Sequence, residues 1–147
     1  MRCMKAARLV AVMALLPLLA ACAASTSGED ASCVGPYIDD QGADGTYEAP
    51  AATVSPGETL TLHGHWYTST CNDTNHATAE VRPLPPVRLT LTLPGGATRD
   101  LGSMTPAGDE LGFQVDVHVP STSRAGSASV SDDRTPPAVY RFTVRAA

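Results

Sequence analysis

The chain has 147 residues, a formal net charge of −5, and 43% hydrophobic against 17% charged residues. The acidic balance and the dispersal of its arginines exclude a nucleic-acid-binding surface, which needs a basic stripe along the phosphates. The length allows a single domain with a real hydrophobic core, and not two.

The N-terminus carries Arg2, Lys5 and Arg8, then an apolar run from Leu9 to Leu19, then the small residues Ala20 and Ala21. A basic start, an apolar core and a small-residue end are the three parts of a secretory signal. The core spans roughly a dozen residues, whereas a bilayer-crossing helix needs about 20, so no permanent transmembrane helix is expected. The run Leu19-Ala20-Ala21-Cys22 resembles a bacterial lipobox. The resemblance implies removal of a lipoprotein signal peptide, residues 1–21, and a diacylated Cys22 as the new N-terminus. The protein would then be lipid-anchored on the extracytoplasmic face of the cell membrane. One acyl chain binds a membrane only marginally, and a diacylglyceryl group supplies the second that stable attachment requires. Cleavage would also remove the only lysine and lower the formal charge by three, to about −8.

Residues 22–32 are mostly Ala, Ser, Thr, Gly and acid, a composition that buries nothing and reads as a lipidated flexible tether. Residues 33–53 read as an N-terminal extension. Within it, Asp39-Asp40-Gln41-Gly42-Ala43-Asp44-Gly45 mixes carboxylates and glycines as a calcium loop does, yet Pro50 and Ala51 stand where such a loop needs its closing Glu. A solvated acidic turn is the expectation there.

From residue 54 to 147 the pattern is that of strands. Thr59-Leu60-Thr61-Leu62 alternates before Gly64; Val87, Leu89, Leu91 and Leu93 alternate with Arg88, Thr90 and Thr92. Phe113, Val115, Val117 and Val119 repeat the pattern against Gln114, Asp116 and His118, as do Tyr140, Phe142 and Val144 against Arg141, Thr143 and Arg145, with Ala128 and Val130 forming a shorter strand. Turn residues separate them at Ser55-Pro56-Gly57, Pro94-Gly95-Gly96, Pro106-Ala107-Gly108-Asp109 and Ser131-Asp132-Asp133-Arg134. About seven short strands, each with one dry face, bury those faces by packing two antiparallel sheets, so the fold class expected is an all-β, immunoglobulin-like sandwich.

The segment Val54-Ser55-Pro56-Gly57-Glu58, followed by Gly64, Trp66 and Cys71-Asn72-Asp73, also resembles the immunoglobulin-like domains of small actinobacterial surface proteins. That resemblance covers most of the mature chain and implies a fold, with no catalytic residues. Continuing the parity of Leu60 and Leu62 through Gly64 sets Trp66 on the dry face as a core aromatic, and Tyr67 on the wet one.

Four cysteines are present. Cys3 leaves with the signal and Cys22 takes the lipid, so Cys33 and Cys71 are expected to pair in an oxidising compartment. Closing a loop of about 38 residues would stabilise the fold by roughly 4 kcal/mol and staple the extension to the sandwich. No Cys-x-x-Cys redox motif occurs.

His63 and His65 lie two apart on one strand face, opposite Leu60 and Leu62, and His76 follows Cys71 closely. Three imidazoles are a zinc or copper donor set, and that is the alternative to a solvated polar stripe with no metal and no cofactor. Catalytic motifs are missing: there is no Gly-x-Ser-x-Gly, no His-Glu-x-x-His and no glycine loop opening a helix. The carboxylate pairs Asp39/Asp40, Asp109/Glu110 and Asp132/Asp133 fall at turns, where neighbours diverge into water rather than flanking a cleft. The sequence therefore points to a non-enzymatic, lipid-anchored surface module that binds an envelope protein or glycan. A metal-binding lipoprotein and a small envelope hydrolase are the alternatives from other classes.

Overall fold

A computed structural model describes residues 35–42, 50–69 and 80–146. The residues read as a signal segment and a tether lie outside these residues, as do Cys22, Cys33, Cys71 and His76. Eight strands occur among the described residues: β1 (Tyr37–Asp39), β2 (Thr53–Val54), β3 (Thr59–His65), β4 (Val87–Thr92), β5 (Thr98–Met104), β6 (Phe113–His118), β7 (Gly126–Asp132) and β8 (Val139–Val144). They form a three-stranded sheet in the order β1-β3-β6 and a five-stranded sheet in the order β2-β8-β7-β4-β5. Every pairing is antiparallel except β2 with β8, which is parallel. No helix among the described residues is long and apolar enough to cross a membrane.

The alternation seen in the sequence is what makes this a sandwich. Val87, Leu89 and Leu91 of β4, Val115 and Val117 of β6, and Tyr140, Phe142 and Val144 of β8 are all buried, while Arg88, Gln114, Asp116, Arg141 and Thr143 are exposed. Together with Leu62, Ala128 and Val130 they make one core between the sheets. Each of the fully buried aliphatic side chains contributes about 1.5–3 kcal/mol of transfer free energy. Ser55-Pro56-Gly57 carries the chain from β2 in the large sheet to β3 in the small one; there the Glu58 carboxylate accepts the Ser55 N–H, which lowers the Glu58 pKa.

Three strands escape the periodicity argument. β1 and β2 are too short to show a period, and both come wholly or partly from the segment read as an extension. β5, Thr98–Met104, is an edge strand whose residues are all exposed or half-buried, so it has no dry face to reveal it. Its pairing with β4 slips between Leu89 and Thr90, opposite Leu101. Gly102 holds φ at +94°, and its N–H donates to the Asp100 carboxylate at 2.8 Å, while that carboxylate also takes the Arg88 guanidinium at 2.8 Å. A bulge with a charged cross-strand pair is a common way to keep an edge from recruiting another chain.

Asp132 corrects the reading of it as a turn residue facing water. Its side chain is fully buried and accepts four hydrogen bonds: the Tyr67 hydroxyl (3.0 Å), Arg134 Nε (2.8 Å), the Arg134 N–H (3.2 Å) and the Ala138 N–H (3.0 Å). The Arg134 guanidinium carbon also stands 5.1 Å from the centre of the Tyr67 ring. A buried carboxylate is tolerated because its charge is paired and its lone pairs are filled. Burial, then the negative charge of Asp132, push the Tyr67 hydroxyl pKa far up.

Two outcomes follow. Asp132→Ala, by removing the shared acceptor of the buried Tyr67 hydroxyl, the part-exposed Arg134 and two backbone N–H groups, is expected to cost about 3 kcal/mol in urea titrations, and Tyr67→Phe about 1–2 kcal/mol. Burial raises the Tyr140 hydroxyl from 10.0 to about 12, against the lowering effect of the Ala52 N–H that it accepts at 2.9 Å. Between these values the folded chain holds a proton that the unfolded chain has lost. Stability is thus complete below pH 10 and falls as pH rises toward about 12, which tyrosinate absorbance and unfolding free energies measured side by side would record.

Candidate functional site

The register of the small sheet gathers polar residues on its outer face. β3 contributes Thr59, Thr61, His63 and His65; opposite them on β6 stand His118, Asp116 and Gln114, and on β1 stand Asp39 and Tyr37. All three histidines among the described residues are therefore on one face. Adjacent side chains interlock: Thr61 Oγ1 donates to Asp116 Oδ1 at 2.7 Å, and Thr59 Oγ1 lies 3.4 Å from His118 Nδ1. The expectation that His63 and His65 share a face holds, with ring centres 6.3 Å apart.

His65 is nevertheless not part of a solvated stripe. It is 4% exposed, covered by the Tyr37 ring stacked at 4.7 Å and nearly parallel to it. Its Nε2 lies 3.0 Å from Asp39 Oδ1 and its Nδ1 3.0 Å from Glu110 Oε2. The ring thereby bridges β1 to the turn before β6, and both nitrogens donate when it is an imidazolium. Sequence reasoning missed this because β1 had no period to betray it as a strand. With both nitrogens facing carboxylates, His65 is not arranged as a ligand, and no group of three or more His, Cys, Asp or Glu among the described residues could hold a metal. The third imidazole of the metal reading, His76, lies outside the described residues.

Trp66 and Tyr67 are the reverse of expectation. Trp66 is 41% exposed and Tyr67 is fully buried. The strand ends at His65, and Trp66 takes a left-handed φ of +56°, so the alternation that would have carried it inward stops one residue too soon. The only other non-glycine residue with positive φ among those described is Leu111, at +45°. The two lie side by side: the Trp66 N–H donates to the Glu110 carbonyl at 3.1 Å and the Tyr67 N–H to the Leu111 carbonyl at 3.0 Å. Gly112 permits this approach, since a Cβ there would collide with the Gly64 carbonyl oxygen, and a Cβ on Gly64 would collide with the Phe113 ring.

Between the end of β3 and the Ala107–Gly112 turn lies an open groove of about 430 Å³. Its polar lining is His63, His65, Asp109, Glu110 and Gln114, with Phe113 as the apolar wall. Asp109 and Glu110, read from sequence as divergent turn residues, both face this groove, and Glu110 is oriented by His65. No signal in a single sequence could have paired Glu110 with a histidine so far away in the chain. In the pair Asp132/Asp133, Asp132 is buried in the core contact and Asp133 accepts the Arg88 N–H.

No protein-family model and no curated protein matches the chain. Among solved structures it is similar to Salmonella alpha-2-macroglobulin reacted with methylamine, at 17% identity and a TM-score of 0.48 over 76% of this chain and 6% of that one. It is also similar to Dpr1 IG1 bound to DIP-eta IG1, at 14% identity and a TM-score of 0.38 over 76% and 96% of the two chains. A third is the RIG-5 IG1 homodimer, at 11% and 0.40 over 77% and 98%. The chain spans only 6% of the macroglobulin. The protein is an all-β sandwich of a three-stranded and a five-stranded sheet.

The reversal at the end of β3 makes a direct claim about substitutions. Trp66→Gly removes an exposed ring and relieves a left-handed backbone, so it is expected to leave unfolding free energy within about 1 kcal/mol of wild type. Tyr67→Ala empties the core and is expected to cost about 3–5 kcal/mol. Equal losses in the two variants would show that Trp66 packs as a core residue.

Proposed function

We propose that the protein is a non-catalytic, lipid-anchored binding module of the cell envelope, held on the extracytoplasmic face through Cys22. What most supports a binding role is the polar face of the small sheet with the groove at its end. A cross-strand hydrogen bond fixes Thr61 and Asp116, and the His65 bridge fixes Asp39 and Glu110; preorganised polar groups on rigid strands are what a recognition surface requires. The anchor rests on the lipobox-like run before Cys22 and on the short apolar segment that precedes it.

A disulfide between Cys33 and Cys71 fits the same reading. Cys33 comes shortly before Tyr37 and Cys71 shortly after His65, and those two residues stand opposite each other across β1 and β3. The bond would tie the edge strand that covers His65 to the rest of the sandwich.

Cys22→Ala is expected to move the protein from the membrane to the soluble exported fraction and to abolish labelling by a fatty-acid analogue. Wild-type protein that takes no label would overturn the anchor. Turnover of envelope polymers or esters by purified protein would overturn the non-catalytic role.

A further inference from the structure

We propose that the outer edge of β6 is an interaction surface for a second copy of this chain. The two β6 strands pair antiparallel about a two-fold axis, with Asp116 of each protomer opposite His118 of the other. This contact is separate from the binding-module reading and does not depend on it.

Four strands stand at sheet edges among the described residues: β1 and β6 in the small sheet, β2 and β5 in the large one. β1 has three residues and β2 two, while β5 pairs through a register shift opposite Leu89 and Thr90 and carries the left-handed Gly102. β6 runs for six residues in unbroken register with β3 and holds no Gly, Pro or Lys. Shortness, bulges, proline and lysine are the means by which an edge is kept from recruiting another strand. β6 has none of these. What it carries instead is Asp116 and His118, whose charges sort one register from another.

The direction of the backbone shows which groups the edge offers. The Val119 N–H donates to the Glu58 carbonyl and the Val119 carbonyl accepts the Gly57 N–H, both at 2.9 Å, so both backbone groups of Val119 point toward β3. Successive residues of a strand point their backbone groups to opposite sides. Val117, Val115 and Phe113 therefore also face β3, and Gln114, Asp116 and His118 present their N–H and C=O groups to the open edge. No backbone bond fills these groups among the described residues. The side chains of the same three residues are exposed, whereas Val115 and Val117 are buried, so an added strand continues both the wet and the dry face of the sheet.

A second copy is the occupant because this edge is complementary to itself. Open backbone groups pair only with open ones, so Gln114, Asp116 and His118 must face even-numbered residues of the other strand. Setting Asp116 opposite Asp116 places like charges face to face, which is destabilising. A shift one way sets Asp116 opposite the neutral Gln114 and leaves His118 against Gly112. The shift the other way centres the axis on Val117 and gives two Asp116–His118 pairs, each exchanging both backbone hydrogen bonds. The side chains are oriented for this register. Thr61 occupies Asp116 Oδ1 and Thr59 Oγ1 lies 3.4 Å from His118 Nδ1, which leaves Asp116 Oδ2 to accept and His118 Nε2 to donate, neither with a partner among the described residues. A two-fold contact of this kind uses the same patch on both protomers, so it closes at a dimer.

The experiment follows the full chain by sedimentation equilibrium in density-matched detergent, and its amide exchange by NMR over the same concentrations. The expected result is a reversible monomer–dimer equilibrium with a dissociation constant of about 100 μM or below. Exchange of the Asp116 and His118 amides is expected to slow at least about tenfold as the dimer forms, while the Val115 and Val117 amides are slow throughout. His118→Asp, which sets carboxylates opposite one another, is expected to weaken the dimer at least about tenfold. Adding Asp116→Lys to it restores opposite charges in the same register and is expected to recover the affinity, with circular dichroism melts showing both variants folded. The wild-type exchange pattern needs no variant and decides alone should either fail to fold. A chain that stays monomeric at about 100 μM, or a dimer indifferent to both substitutions, would overturn the proposal. So would protection that appears at β1 or β5 instead, or Asp116 and His118 amides already protected in the monomer, since the edge would then be covered within the chain.

Discussion

The buried contact between Tyr67 and Asp132 constrains the rest of this end of the molecule. Tyr67 follows the last residues of the small sheet, and Asp132 closes β7 of the large one, so their hydrogen bond crosses the interior of the sandwich. To bring the Tyr67 ring inward against Phe113, the chain must turn between His65 and Tyr67, and the left-handed Trp66 makes that turn. Trp66 is then pushed outward. The same turn presses the backbone of residues 66–67 onto Glu110 and Leu111, which sets the outline of the groove. A core requirement thereby determines a surface feature.

Charge buried in this way does not stabilise the protein simply by being present. Desolvating a carboxylate and a guanidinium costs several kcal/mol, and a close pair with every lone pair filled roughly offsets it. What the arrangement contributes is specificity. Four donors converge on one carboxylate, so an alternative packing that separates β7 from the segment after β3 leaves a buried charge without partners. His65 does the same on a smaller scale, holding an edge strand and a turn through one ring.

The two sheets divide the labour. The five-stranded sheet supplies most of the core and protects its β5 edge with a bulge and a charge pair. The three-stranded sheet gives half its residues to that core and the other half to an outer face of Thr, His, Asp, Gln and Tyr, interlocked by hydrogen bonds and a stacked pair. In the proposed binding role, such a surface would cost less conformational entropy than loose side chains.

The period-two alternation in residues 87–92, 113–118 and 139–144 determined the sandwich class before any coordinates, because each of those strands has one face in the core and the burial pattern repeats the sequence pattern. The shared face of His63 and His65 was legible for the same reason. β5 was not, since an edge strand with no buried face leaves no period, and the three-residue β1 was too short to show one. The exchange of Trp66 and Tyr67 was decided only in three dimensions: one left-handed residue shifts parity by a single step, and nothing local distinguishes the two aromatics. Asp132 and Glu110 each looked like solvated turn carboxylates until the fold brought Tyr67 and His65 to them. Their partners lie 65 and 45 residues away along the chain. Contacts at such separations depend on which strands pair, and strand pairing is a property of the whole core rather than of any segment.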